Sequence, residues 1–232
     1  MTQTVTEQPM LSVRNLVKHF PVHGGGLLRR KTGDVHAVCD VSFDIYPNET
    51  LGLVGESGCG KSTTARALLN LQLASSGEVH YGESELTKLS RKQMQNLRKD
   101  LQIVFQDPYA SLDPRIPVNE IVAEPLRIHG LYDNGGAEQV SELLAKVGLR
   151  PEHGNRFPHE FSGGQRQRIG VARALALQPK VLVLDEPVSA LDVSIQAGVL
   201  NMLADLQAEL DCRTCSSRTT SRWCGTWPIA SR

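Results

Sequence analysis

The sequence has little that would carry it into a membrane or onto a polyanion. No stretch approaches the ~18 apolar residues that a spanning helix needs. The opening residues, MTQTVTEQP, hold no basic residue and no apolar run, so no signal peptide is expected there. Net charge is missing too: 25 basic and 25 acidic residues cancel. That removes the electrostatic reason to expect nucleic acid or anionic lipid as a direct partner. Cysteine is sparse through residue 210. Cys39 and Cys59 stand single and far apart, so no disulfide framework is expected and a reducing compartment is the default. There is no internal repeat, and no histidine follows His159. The remaining composition is that of an ordinary globular chain. With 232 residues, 40% hydrophobic and 22% charged, it can bury one large domain or a domain with a subdomain.

Local patterns alternate between strand and helix. LSVRNLVKHF (11–20) and VHAVCDVSFDIY (35–46) mix β-branched and aromatic residues and predict strands, with a glycine-rich, basic loop between them. LGLVGE (51–56) is a short apolar run entering a glycine cluster, and KSTTARALLN after it predicts a helix. GEVHYGES predicts a strand and turn, and SRKQ (90–93) a capping box opening a polar helix. LQIVFQ (101–106) predicts a strand, ended by a loop rich in Pro, Asp and Ser. PVNEIVAEPLRIHG and AEQVSELLAKVGL predict helices. KVLVLDEP (180–187) is nearly continuous in apolar residues, as for a strand buried on both faces. Over 194–210, Ile195, Val199, Leu203, Leu206 and Leu210 recur at three- and four-residue spacing, which makes an amphipathic helix. The alternation implies an α/β fold with a mainly parallel sheet.

The chemistry concentrates in GESGCGKST (55–63). It matches G-x-x-x-x-G-K-[ST], after a predicted strand and before a predicted helix, where the mechanism requires it. Gly55, Gly58 and Gly60 allow a tight turn that presents successive N–H groups to a phosphate. Lys61 can reach the β- and γ-phosphates, the Ser62 hydroxyl can bind Mg²⁺, and the helix start adds partial positive charge. VLVLDEP supplies acids: Asp185 at the strand end for the metal's surroundings, and Glu186 where an attacking water could be polarised. In FSGGQRQR (161–168), Ser162 can cap a helix while Gly163 and Gly164 expose N–H groups. One site needs one such cradle, so a second one suggests a nucleotide bound elsewhere.

FSGGQRQR also closely resembles the signature of ABC-transporter ATPases. The resemblance covers roughly residues 11–210 and implies a P-loop NTPase (RecA-like) α/β core. It adds an antiparallel β subdomain and a helical signature subdomain at about 107–165. On this reading 1–210 is the nucleotide-binding domain, incomplete at its C-terminus. The implied ATP contacts are Gly55, Ser57, Gly58, Cys59, Gly60, Lys61, Ser62 and Thr63. Ser162, Gly163, Gly164 and Gln165 would close over the ATP of a partner subunit. Gln106 resembles the Q-loop glutamine, which shares catalysis with Glu186 and contacts Mg²⁺ along with Ser62 and Asp185. SALD (189–192) resembles the D-loop and ends in Asp192. Phe20 sits where an aromatic stacks on adenine, with plain core packing as its alternative. HFPV, FQDPYASLDPR and NRFPHEFSGGQRQRIGVARAL resemble the ATP-binding subunits of bacterial oligopeptide and dipeptide importers, and related nickel importers read alike. The implied partners are a second ATPase subunit, transmembrane permease subunits and, indirectly, an extracytoplasmic substrate-binding protein. The implied place is the cytoplasmic face of the bacterial inner membrane. An ATP-binding fragment that does not hydrolyse, or a soluble ABC ATPase acting on ribosomes or DNA, are the alternatives.

Two departures bear on that reading. The family carries a switch histidine on the next sheet strand after the D-loop, and a further C-terminal extension; neither is expected here. Residues 211–232, DCRTCSSRTTSRWCGTWPIASR, hold three of the five cysteines and both tryptophans, with no leucine or valine. Cys212 and Cys215 have zinc-knuckle spacing, but Cys224 is the only further thiol. Reading each codon one base earlier permits Tyr-Leu-Phe-Val-Ser-His-Asp-Leu-Ala-Val-Val from position 214 onward. The histidine would fall at Thr219, and 219 − 186 = 33 residues after Glu186. The tail is therefore expected to be out of frame, leaving the sheet strands that flank the lost strand without ladder partners.

Overall fold

Alternating apolar residues at the head of the chain build an antiparallel sheet. The computed structural model describes residues 8–23, 31–47, 49–210 and 213–219, from 207 onward as backbone only. It divides into two compact units, Met1–Met94 with Ser217–Arg232, and Gln95–Ser216. In the first unit, β1 (Leu11–His23) pairs antiparallel with β2 (Lys31–Ile45), Leu11 opposite Ile45 and Val13 opposite Phe43. Leu11 and Val13 are buried, and then the phase slips. Asn15 takes φ 48, the register shifts, and Leu16 returns to the core in place of residue 15. That is a bulge re-aiming a strand. β4 (Ser76–Tyr81) pairs along the other side of β1, and β5 (Ser84–Glu85) completes the order β2-β1-β4-β5.

Both leading strands outrun their apolar pattern. Lys31–Asp34, expected in the loop, belongs to β2, because the ladder continues through Phe20–Val35, Pro21–Asp34 and Val22–Gly33. Backbone groups pair regardless of side chain. Pro21 is tolerated there because β4 pairs with β1 only as far as Val17. β3 (Thr50–Gly55) then leads to α1 (Lys61–Leu68), with Val54 of β3 65% exposed.

The second unit is built on its apolar runs. α2 (Arg91–Leu97) spans the division and opens with the expected capping box. The Ser90 N–H donates to Gln93 Oε1 at 3.0 Å, and the Gln93 N–H to Ser90 Oγ at 3.4 Å. β6 (Leu101–Val104) and β7 (Val181–Asp185) run parallel, Leu101 opposite Val181 and Val104 opposite Leu184. Every residue of β7 is buried, as its continuous apolar sequence predicts. Three helices share one core: α3 (Val118–Ile128), α4 (Gly136–Lys146) and α5 (Gly163–Leu175), through Ile121, Leu126, Leu144, Ile169 and Leu175. α6 (Val193–Leu210) adds Val199, Met202, Leu203 and Leu206, the face its spacing predicts. Each such aliphatic side chain contributes ~1.5–3 kcal/mol on burial.

The tail brings a correction. The strands flanking its slot are expected to lack a partner. Instead Arg213–Thr219 forms a strand, β8, and the second sheet has the order β3-β8-β7-β6. The division between the units falls within β8. Any non-proline residue carries the same N–H and C=O, so RTCSSRT can fill a ladder whatever its reading frame. Residues 211–212 and 220–232, with Cys212, Cys224 and both tryptophans, lie outside the described residues.

Candidate functional site

In the first unit, glycine sets the shape of the loop between β3 and α1. Gly58 (φ 83) and Gly60 (φ 96) both lie in the left-handed region. At Gly60 a Cβ would also run into the carbonyl oxygen of Ala37, so the position is closed twice over to side chains. Gly60 caps α1, and Thr64 returns both its N–H (2.8 Å) and its hydroxyl (3.0 Å) to the Gly60 carbonyl. Lys61, the first residue of α1, is buried. Its ammonium donates to the carbonyls of Glu56 (2.8 Å) and Gly55 (3.1 Å) and lies 3.8 Å from Cys59 Sγ. Ser62 and Thr63 follow in the same first helical turn, and Ser57 and Cys59 lie on the loop. A cation at the mouth of a glycine loop, beside a helix N-terminus, is an arrangement that attracts phosphate. Phe20 is half-buried on β1 with the Lys18 ammonium 4.9 Å from its ring centroid. The ring is outside the buried core of the sheet.

In the second unit, β7 delivers two adjacent acids into different settings. Asp185 is fully buried at the strand end. Glu186, the next residue, takes φ 44, a left-handed conformation that non-glycine residues seldom adopt and that gathers at functional sites. The turn brings Glu186 to Gln106, whose Nε2 donates to Glu186 Oε2 at 2.9 Å and to Ser189 Oγ at 3.3 Å. The Ser189 hydroxyl in turn donates to the Glu186 carbonyl at 3.0 Å. Three residues separated by as many as 83 positions thus form one polar cluster.

The start of α5 forms a second helix terminus. Ser162 and Gln165 complete a reciprocal capping box, Ser162 N–H to Gln165 Oε1 at 2.9 Å and Gln165 N–H to Ser162 Oγ at 3.3 Å. Close packing explains the glycines between them. A Cβ on Gly164 would strike Ile195, and one on Gly163 would meet Leu191 at 3.5 Å. Asp192 precedes α6, and its carbonyl accepts the N–H groups of Ile195 and Gln196. Arg166 stacks on Tyr109 at 4.0 Å and donates to the Pro158 carbonyl at 2.7 Å, which pins the loop entering α5. Arg173 donates to the Ser111 carbonyl at 2.7 Å, and burial pushes its guanidinium below the ordinary arginine value.

Sequence reasoning puts Gln106 and Glu186 together in catalysis through the resemblance, but it does not place them in hydrogen-bond contact and it misses Ser189 as the hydroxyl beside both. Tyr109 is also missed, although FQDPYASLDPR and the signature are each legible. Among the described residues, no helix is long and apolar enough to cross a membrane.

Comparison with known proteins gives consistent matches. A family described as ABC transporter matches residues 38–189. The glutathione import ATP-binding protein GsiA of Salmonella paratyphi A (strain ATCC 9150 / SARB42) is 57% identical over 209 residues, 89% of this chain and 33% of that protein. The protein of the same name in Escherichia coli (strain K12) is 57% identical over 206 residues, 88% of this chain and 33% of that protein. The chain therefore spans about a third of the length of these curated relatives. Among solved structures, the ATP-binding cassette MJ0796, in a dimeric post-hydrolysis state bound to ADP and Pi, aligns with a TM-score of 0.76. Its sequence is 27% identical, over 90% of this chain and 87% of that one. CbiO1 from Clostridium perfringens, part of the ABC transporter complex cbiONQ, aligns with a TM-score of 0.75 at 26% identity, over 92% of this chain and 80% of that one.

Proposed function

The chain belongs to the ABC transporter family and carries its ATPase domain, and from that premise we propose that it energises uptake of short peptides or peptide-like solutes across the bacterial inner membrane. The observation that supports nucleotide binding most directly is the buried Lys61 ammonium at the mouth of a loop in which Gly58 and Gly60 take left-handed conformations and Gly60 leaves no room for a Cβ. The peptide-like cargo rests on the relatives' names, which specify glutathione import.

The roles divide by residue. The loop Gly55–Thr63, including Ser57 and Cys59, wraps the phosphates, with Lys61 opposing their charge. Phe20 stacks on the adenine. Ser62, Gln106 and Asp185 offer a hydroxyl, an amide oxygen and a carboxylate. Such a set of hard oxygen donors suits Mg²⁺ and fits no soft metal. A Mg²⁺ held there would neutralise phosphate charge. Glu186 accepts the proton of the attacking water, oriented by Gln106 and Ser189. The N–H groups at Ser162–Gln165, with Asp192 nearby in sequence, serve the nucleotide of a second ATPase chain, so hydrolysis belongs to a dimer. That dimer acts on permease subunits from the cytoplasmic face, and a substrate-binding protein supplies the cargo indirectly. Nucleic acid has no part in it.

A second reading has one observation in its favour. Thr219 stands where the resemblance places a switch histidine, 33 residues after Glu186, and without an imidazole at that position the chain would bind ATP without turning it over. Titration of a fluorescent ATP analogue separates the layers of the proposal. Lys61→Ala should remove most of the affinity of the folded chain. Equal affinity in the variant and the parent would refute the phosphate site itself. Affinity without phosphate release would favour the second reading.

A further inference from the structure

The β1–β2 ribbon carries a cluster that the nucleotide chemistry does not use. His19 and His36 face each other across the ladder as register partners, their ring centroids 4.0 Å apart. Cys39 joins them, and one ligand atom from each of the three lies within 4.8 Å of the others. His36 and Cys39 are exposed and His19 is half-buried, so the cluster is open to solutes. Among the described residues, no hydrogen bond takes up these three side chains, while the backbone of His19 is fixed by Ser75, whose hydroxyl accepts its N–H at 2.9 Å. We propose that His19, His36 and Cys39 bind a single divalent d-block cation of the zinc class, clamping β1 to β2 one residue before Phe20.

The donor set selects the class. Two imidazoles and a thiolate suit Zn²⁺ or Co²⁺ and suit Mg²⁺ or Ca²⁺ poorly. Bond lengths of ~2.0–2.1 Å to nitrogen and ~2.3 Å to sulfur place tetrahedral ligand atoms roughly 3.3–3.8 Å apart. The present spread closes to that value by rotation of exposed side chains, with the fourth position left to water. Binding forms one metal–sulfur and two metal–nitrogen bonds, breaks the metal–water bonds of the hydrated cation except one, breaks the S–H bond of Cys39, and releases those waters and that proton to solvent. No electrons move. Asp34 adds negative charge close by. Lys31 lies 2.8 Å from that carboxylate. Among the described residues, the other cluster of this kind, Glu78, His80 and Glu85, is already matched internally. Lys88 sits 2.6 Å from Glu85, and His80 is 2.9 Å from Glu78.

Co²⁺ titration of the 232-residue chain tests this, with Cys212, Cys215 and Cys224 changed to serine so that only Cys39 and Cys59 remain. One equivalent of Co²⁺ should give a thiolate-to-cobalt charge-transfer band that Zn²⁺ displaces. Cys39→Ser should abolish the band, His36→Ala should weaken binding by about tenfold or more, and Cys59→Ser should leave the band unchanged. All three positions are exposed, so the substitutions spare the core. Should Cys39→Ser nonetheless fail to fold, the parent stoichiometry and His36→Ala still decide. The proposal is overturned if the parent gives no such band, if the band survives Cys39→Ser, if it disappears with Cys59→Ser, or if His36→Ala leaves affinity unchanged.

Discussion

Replacing Gly60 with alanine should damage the chain more than the same change at Gly52 or Gly58, and the structure sets the order. Three positions give a graded series. Gly52 has no positive φ and open space where a Cβ would go. Alanine there narrows the unfolded ensemble and should stabilise by up to ~1 kcal/mol. Gly58 (φ 83) also has open space, so Gly58→Ala carries only the left-handed strain, ~1–2 kcal/mol. Gly60 (φ 96) carries the same strain, and its Cβ would collide with the Ala37 carbonyl and touch Val38. A backbone oxygen in a ladder strand cannot swing aside as a side chain would, so an overpacking cost of ~1–3 kcal/mol adds to the strain. The total for Gly60→Ala is ~2–5 kcal/mol, a large part of a typical margin of ~5–15. At ~2–4 °C per kcal/mol for a chain of this size, its melting point should drop by ~4–20 °C. Denaturant unfolding of the parent and the three variants, with an ATP-analogue titration of each, reads both consequences. Gly60→Ala displaces the start of α1 together with Lys61, so its nucleotide affinity should fall with its stability. If Gly60→Ala proved no worse than Gly58→Ala, the close approach of Ala37 would be refuted.

Other expected outcomes concern turnover. Glu186→Gln keeps the shape of the side chain and removes the base, so ATP should accumulate a two-chain species on size exclusion; a monomer hydrolysing ATP at an ordinary rate would sink the dimer requirement. Ser189→Ala removes the hydroxyl joining Gln106 to Glu186. One such bond is worth ~0.5–1.5 kcal/mol, so hydrolysis should slow by roughly 2–10-fold with nucleotide affinity unchanged, and an equal loss in both would assign Ser189 to binding instead. Sequencing the gene across codons 210–232 should reveal Ser-His-Asp in the frame one base back, and inserting the missing base should raise melting point and hydrolysis together. A stop codon before that motif, or its absence, ends the frame proposal.

What the sequence discloses follows the range of the interaction. The phosphate loop is legible because its nine residues, from Gly55 to Thr63, must do their work locally. The capping boxes at Ser90 and Ser162 are legible because donor and acceptor are three residues apart. β7 is legible because burial on both faces leaves one continuous apolar string. The Gln106–Glu186–Ser189 cluster is hidden, since its members meet only after β6 and β7 pair. The His19–His36–Cys39 cluster is hidden too, because it depends on the register of β1 against β2 and on a bulge that pattern reading cannot place. The expectation of an empty sheet slot failed for a related reason. It judged a strand by its side chains, whereas ladder bonds come from the backbone.

β8 separates two properties that usually travel together in a sheet. Its sequence, RTCSSRT, contains no aliphatic or aromatic residue, so by composition it brings a ladder its backbone groups and little apolar side chain. Val54, on the neighbouring strand β3, is already 65% exposed. The frame one base back permits Tyr-Leu-Phe-Val at 214–217. Burying four such side chains at ~1.5–3 kcal/mol each is worth ~6–12 kcal/mol, comparable to the whole stability of a domain. The chain should accordingly look native to far-ultraviolet circular dichroism, which senses backbone order. It should look molten to dye binding and to the sharpness of its thermal transition, which sense packing. A single base near codon 210 would then decide not whether this sheet is drawn, but whether it sets.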